Sequence, residues 1–342
     1  MLSCGYPETD TMLMLSLSVA AGMIPMLAFL AVVWWLDRYD REPVWLVAIV
    51  FLWGAIFAAG GSYITNSIWH IILNIALSNS INAEWISVMF VAPLVEEPLK
   101  GLILIALAFT RWFDNTTDGF VYGAAAGLGF AMSENILYFM RASEASMSVW
   151  FTTVLVRTAT SGLMHALATS IIGAALGWGK TRTLDIRLVA LAMGFVIAVS
   201  IHMVWNGLIV IGQASGASVF WLDVLIFGVE FLLIFGTFML CLHGEHRMIR
   251  RELMIEAKGG VLPPQHVAIL SSVSKRSRLG WCPPGVDQQT YIDLATKLAF
   301  RRMQCRGRGA RQQTYLKEAR ALRHELRALL GTKPLQKRRE DA

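Results

Sequence analysis

The sequence predicts an all-α, polytopic membrane helical bundle of about seven spans, followed by a small helical cytoplasmic tail. Three observations lead there. Of 342 residues, 55% are hydrophobic and only 16% charged, with a mean hydropathy of +0.53. A soluble chain carries about a quarter charged residues, so this one lacks the polar groups to cover a water-soluble globule, and it is far too apolar for disorder. The second observation is a series of seven apolar runs, at 12–36, 44–66, 85–109, 118–140, 151–178, 188–211 and 219–242. Each approaches the roughly 20 residues that a spanning helix needs. The third is a charge split. Residues 1–243 hold 9 Lys+Arg against 15 Asp+Glu, and residues 244–342 hold 21 against 9. The net charge of +6 therefore belongs to the tail, and a domain boundary is expected at 243/244.

Taken in order, the first run lacks a basic n-region and exceeds a signal-peptide core, so it reads as a retained anchor. Cys4 follows Leu2-Ser3, but no basic or apolar region precedes it, which argues against a lipoprotein box. Cys4, Cys241, Cys282 and Cys305 form no CxxC pair, so neither a zinc site nor a disulfide framework is indicated. After the second run, residues 67–83 are uncharged and Asn/Ser-rich. They are expected as an interfacial or re-entrant piece, which would make an eighth element, with His70 solvated.

Orientation follows from the basic residues. Arg38 and Arg41 lie in loop one, Arg111 in loop three, and Lys180, Arg182 and Arg187 in loop five. On the other side only Arg141 appears. The N-terminus is thus expected outside and the C-terminus inside, where a basic tail also meets anionic lipid. That duller reading covers the Arg-rich 301–311 stretch, and no nucleic-acid partner is expected.

Within the tail, 244–258 continues the last span as a basic helix until Gly259-Gly260 and Pro263-Pro264 interrupt it. Asp287 is placed to cap a helix through about Met303, with Leu294 and Leu298 on one face. A second helix covers about 312–330, where Leu316, Ala319, Leu322, Leu326 and Leu330 recur at helical spacing. His243 and His246, at the inner end of the last span, suit the helix C-terminus or lipid headgroups.

Ionisable residues at bilayer depth are costly and need a partner or a function. They gather in spans three to six: Glu96, Glu97 and Lys100, then Glu134, then Arg157 and His165, then His202 with Asn206 one turn later. At about 1.5 Å per residue, Glu96, Glu134, His165 and His202 fall in one layer, from mid-membrane to the outer half. Glu134 shares its face with Gly123 and Gly127, which lets helices approach closely. His165 shares its face with Thr158, Ser161 and Thr169. Glu230, in span seven, could pair with a buried cation and reads as structural. Arg157 either contacts the site or snorkels outward.

Two histidines and a carboxylate can hold a metal ion with an open position, the pattern of catalytic zinc, while a further glutamate serves as general base. Lys100 could hold a glutamate ionised, and Asn206 could orient His202 or donate to an oxyanion. The spacing is not HExxH. Two rivals stand at this point: an intrahelical ion pair with histidines as interhelical hydrogen-bond glue, in a non-enzymatic membrane scaffold, or a transporter with a proton relay.

The motifs themselves resemble a known family. EExxK at Glu96–Lys100, DGFVYGAAAGLGFAMSENILYF at 118–139, His165 in LMHALATSIIGAALGWG, and HxxxN at His202–Asn206 stand in the order of the PrsW family of intramembrane proteases. That family is similar to the wider group of CAAX-prenyl-protease-like membrane peptidases. Arg157 fits the pattern too, and weaker likeness extends to DRYDREP at 37–43 and to the helical tail. The resemblance implies an intramembrane endopeptidase, with a divalent metal, zinc by implication. One of Glu96 and Glu97 would activate water, and Glu134, His165 and His202 would be the ligands. Lys100 and Asn206 would assist and Arg157 would support them. It further implies a membrane-anchored protein substrate such as an anti-sigma factor, cut on its outer side, and a place in the cell (inner) membrane.

Overall fold

The structure is a computed structural model that describes residues 8–77, 81–215, 220–306 and 312–331. Among these residues there are helices and no strands. Helix α1 is Glu8–Leu36. Helix α2 runs over Val44–Ala76, with a π-helical stretch at Trp53–Ala58. Helix α3 covers 81–108, with a π-helical stretch at Ser87–Val91. Then follow α4 (Thr116–Ala145), α5 (Met147–Gly179), α6 (Leu184–Ser215) and α7 (Phe220–Lys258). The chain divides into two compact units, one of Met1–Leu36 with Glu42–Phe238, the other of Asp37–Arg41 with Met239–Ala342.

Every expected span coincides with one of these seven helices, and the chain is a multi-pass membrane bundle. Among the described residues, α1, α2, α5, α6 and α7 are long and apolar enough to cross a bilayer by length and composition alone. The segments that carry Glu96 and Glu134 are not, and for the second there is a physical reason. Helix α4 is the centre of the first unit, packed by α5, α1 and α2, and its residues Thr117–Ala131 are all buried. A helix sheathed by protein instead of lipid does not need an apolar surface. The outer helices show the converse. Ile56, Phe57, Ile64, Ile75, Leu155 and Leu232 are each more than half exposed, as a lipid solvent requires.

Close packing at the centre rests on glycine. A methyl group on Gly127 would collide with the backbone carbonyl of His165, and one on Gly123 with the backbone at Thr169 and Ser170. Asn115 starts α4 with a reciprocal cap, in which its side chain accepts from the Thr117 and Asp118 amides while Asp118 accepts from the Asn115 amide. Such caps satisfy the donors that a helix start leaves unpaired. At the far end of α5, Lys180 Nζ donates to Thr110 O at 3.1 Å and to Phe113 O, closing the connection between α3 and α4.

Two expectations change. Residues 67–76 do not form a separate interfacial piece, because α2 continues without a break to Ala76; residues 78–80 lie outside the described residues, as does Cys4. His70 is an exposed residue of that helix. His243 and His246 are not at a helix end, since α7 runs on to Lys258. Their rings stack at 6.3 Å, and His246 Nδ1 lies 2.5 Å from Ser271 O.

In the second unit, α7 ends where Gly260 takes φ 68°. Three further helices, α8 (Pro264–Leu270), α9 (Val273–Arg276) and α10 (Gln288–Gln304), precede α11 (Gln312–Leu330). Asp287 caps α10 by accepting from the Thr290 amide at 2.8 Å. Leu253, Val267, Tyr291, Leu298 and Leu326 are the centre of a small apolar core. Beside it the buried Glu252 and Glu256 are neutralised by Arg302, Arg306 and Arg323.

Candidate active site

The residues at bilayer depth on α3, α4, α5 and α6 meet in one cluster. Glu97 is fully buried, and both its oxygens are occupied. Oε1 accepts from Lys100 Nζ at 2.5 Å and lies 2.8 Å from His202 Nδ1. Oε2 accepts from Thr169 Oγ1 at 3.3 Å. Glu96 is different. Its Oε1 accepts from Asn66 Nδ2 at 3.1 Å, and its Oε2 is buried with no hydrogen-bond partner, 3.8 Å from His202 Nε2.

These contacts determine the histidine tautomers. A lysine ammonium only donates, so His165 Nδ1, 3.0 Å from Lys100 Nζ, is an acceptor. His165 Nε2 then carries the proton and donates to Glu134 Oε2 at 2.8 Å. His202 Nδ1 faces a carboxylate and donates, which leaves the lone pair on Nε2 directed toward Glu96. The two imidazoles meet edge to face at 4.9 Å. A histidine held through one nitrogen by a carboxylate, with the other nitrogen free, is the usual state of a metal ligand.

One donor atom from each of Glu96, His165 and His202 lies within 4.8 Å of the others, and all three residues are buried. The orphaned Glu96 oxygen and the free His202 lone pair fit a cation. Charge balance agrees. Lys100 pairs with Glu97 and Arg157 with Glu134, which leaves Glu96 as the carboxyl of the cluster without a Lys or Arg ion pair among the described residues, a position that a cation would complete.

Glu134 stands at the edge of this cluster with its side chain a quarter exposed. It accepts from His165 and pairs with Arg157 NH2 at 3.0 Å. Arg157 therefore does not snorkel. Its Nε donates to Asn135 Oδ1 at 3.0 Å and its NH2 to Ser161 Oγ at 3.2 Å. Asn206 is tied to the backbone, with Nδ2 donating to Val88 O at 2.7 Å. Val88 sits in the π-helical stretch of α3, where the usual helical pairing is interrupted. Glu230 is buried too, and its Oε2 has no hydrogen-bond partner among the described residues, so the expected buried cation is not found there.

Asn66 escapes sequence reading, since a neutral amide in an Asn/Ser-rich stretch carries no charge signal.

Residues 42–237 match the family described as PrsW family intramembrane metalloprotease. Among curated proteins, the chain is similar to Protease PrsW of Oceanobacillus iheyensis, 29% identical over 191 residues, which cover 55% of this chain and 80% of the relative. It is likewise similar to Protease PrsW of Bacillus subtilis, 28% over 186 residues, 54% and 78% of the two chains. For Protease PrsW of Clostridioides difficile the figures are 35% over 109 residues, 32% and 44%. No solved structure matches the chain.

Proposed function

The chain belongs to the PrsW family of intramembrane metalloproteases, and from that premise we propose how its buried cluster cuts a membrane protein. The observation that carries the reading is Glu96 Oε2, a buried carboxylate oxygen without a partner, facing the free nitrogen of His202. Glu96, His165 and His202 are the residues that would hold a divalent metal such as zinc. When bound, the metal would act as a Lewis acid and lower the pKa of a water molecule.

The roles of Glu96 and Glu134 thereby exchange relative to the resemblance. Glu96 becomes a ligand, and Glu134 becomes the general base. Glu134 is the partly exposed carboxylate of the cluster and is held in place by Arg157. It takes a proton from the attacking water and returns it to the leaving amine. Glu97 holds His202 in the tautomer that leaves Nε2 free, and Lys100 keeps Glu97 ionised. His165 has both nitrogens engaged in the resting arrangement, so joining a metal would require one of those two contacts to be given up.

The basic loops and tail support an N-outside, C-inside orientation in the cell membrane. With that orientation, the cluster in the outer half suits cleavage of a single-span protein near its outer side, with an anti-sigma factor as the candidate substrate. Metal content and turnover, measured on the same purified samples, test the roles. Glu96→Gln should lose both metal and cleavage, whereas Glu134→Gln should keep the metal and lose cleavage. Metal retained in Glu96→Gln and lost in Glu134→Gln would reverse the assignment. A membrane-proteome comparison of wild type with Glu97→Gln should show one uncut single-span protein accumulating. Substrate-dependent flux in proteoliposomes with no cleaved product would instead favour a transporter.

A further inference from the structure

Cleaving a peptide bond within or beside a membrane helix requires that segment to open. Its carbonyls then lose their intrahelical partners where there is no water to replace them. The enzyme must supply donors, and Asn206, the expected one, is tied to Val88 O.

Two other donors are free. Asn135 is completely buried, yet its Nδ2 has no acceptor. Trp205 is 7% exposed, and its Nε1 likewise has no acceptor. A buried N–H left unpaired is costly, and both belong to the same place. Asn135 Oδ1 accepts from Arg157 Nε at 3.0 Å, and the Arg157 guanidinium carbon lies 6.0 Å from the Trp205 ring centre. On the side of Tyr138, which is 39% exposed, the same carbon lies 3.7 Å from the ring centre. Trp205 stands one turn after His202, and Asn135 directly follows Glu134. The free donors therefore border the reacting groups and adjoin the partly exposed edge of the site.

Resting on the proteolytic reading above, we propose that Asn135 Nδ2 and Trp205 Nε1, gathered around Arg157, form a subsite for backbone carbonyl oxygens of an opened substrate segment. The subsite selects substrates whose span is locally unwound. The interior of an intact helix offers no free carbonyl and gains nothing there.

The test uses the full chain in phosphatidylcholine liposomes and two dye-labelled, Lys-flanked Leu/Ala spanning peptides, one with a central Gly-Pro break and one without. Wild type should bind the broken peptide roughly fivefold to thirtyfold more tightly, the value of one or two ordinary hydrogen bonds. Asn135→Asp keeps the acceptor for Arg157 and removes the donor; Trp205→Phe keeps a ring and removes the N–H. Each should reduce that preference, and the pair should abolish it, with the thermal midpoint measured beside it. If Trp205→Phe does not fold, Asn135→Asp alone decides. No preference in wild type, or full preference in the folded variants, would overturn the subsite. Glu97→Gln should keep the preference while losing cleavage. If the preference persists but wild type cleaves no membrane protein, the proteolytic reading fails and the binding site stands.

Discussion

Lys100 and Glu97 form a fully buried pair at 2.5 Å, and each depends on the other. Removing one partner of such a pair leaves an uncompensated charge and costs about 3–5 kcal/mol, whereas replacing both with neutral groups costs much less. Lys100→Met should therefore lower the thermal midpoint sharply, and the double variant Lys100→Met/Glu97→Gln should recover part of the loss while staying inactive. A double variant no more stable than Lys100→Met would mean that the pair is not coupled. Glu97→Gln alone touches His202, because an amide can present its N–H to Nδ1 and reverse the tautomer. Outer partners of ligating histidines are worth roughly 10- to 100-fold in metal affinity or activity. Zinc titration of the purified variant should show a loss of that size, and wild-type affinity would remove Glu97 from the supporting role.

At the scale of the element, α4 is read best as a spacer that brings Glu134 to His165. Gly127 lies two turns before Glu134, against the carbonyl of His165 itself. Gly127→Ala should push α4 and α5 apart, costing about 1–3 kcal/mol as an overpacked contact. Cleavage should fall further than stability explains, because the His165–Glu134 bond at 2.8 Å lengthens with the helix spacing. Gly228, with open space where its Cβ would stand, is the control. Gly228→Ala should leave turnover unchanged and stabilise slightly, since alanine favours a helix by about 1 kcal/mol. Equal effects at both positions, read by thermal unfolding and by turnover, would mean that helix spacing does not set the site. The π-helical stretches on α2 and α3 were not legible beforehand. Hydrophobic runs report that a helix exists, but not where its hydrogen-bond register slips.

At the scale of the whole molecule, the two units respond to different variables. The membrane unit depends on its internal charge pairs. The second unit contains His266, whose ring is buried beside Tyr291, with Nδ1 2.9 Å from the Tyr291 hydroxyl. Burial pushes its pKa below the ordinary histidine value. The unfolded chain therefore takes up the proton first as pH falls, and linkage lowers folded stability in that direction. Stability of this unit should be level above about pH 6.5, the ordinary histidine pKa, and should decline below it. Hydrogen exchange of 264–300 as a function of pH measures this, and an unchanged profile in His266→Asn would assign the decline elsewhere.

The order and position of the seven membrane helices, the cap at Asp287 and the two tail helices were legible in the sequence. They follow from local rules: apolar length, glycine and proline breaks, and capping residues. So was the gathering of ionisable side chains in the candidate site, because a charge at bilayer depth stands out in an apolar chain, whereas the neutral Asn66, Asn135 and Trp205 carried no such signal. How each of them is held was decided only by the tertiary structure. Glu96 and Glu97 are neighbours of identical chemistry, yet Glu97 has both oxygens bound and Glu96 keeps one free. The partners that make this difference come from 30 positions away at Asn66 and 105 away at His202. Which polar atom is satisfied and which is left open depends on neighbours that only the packing of distant helices supplies.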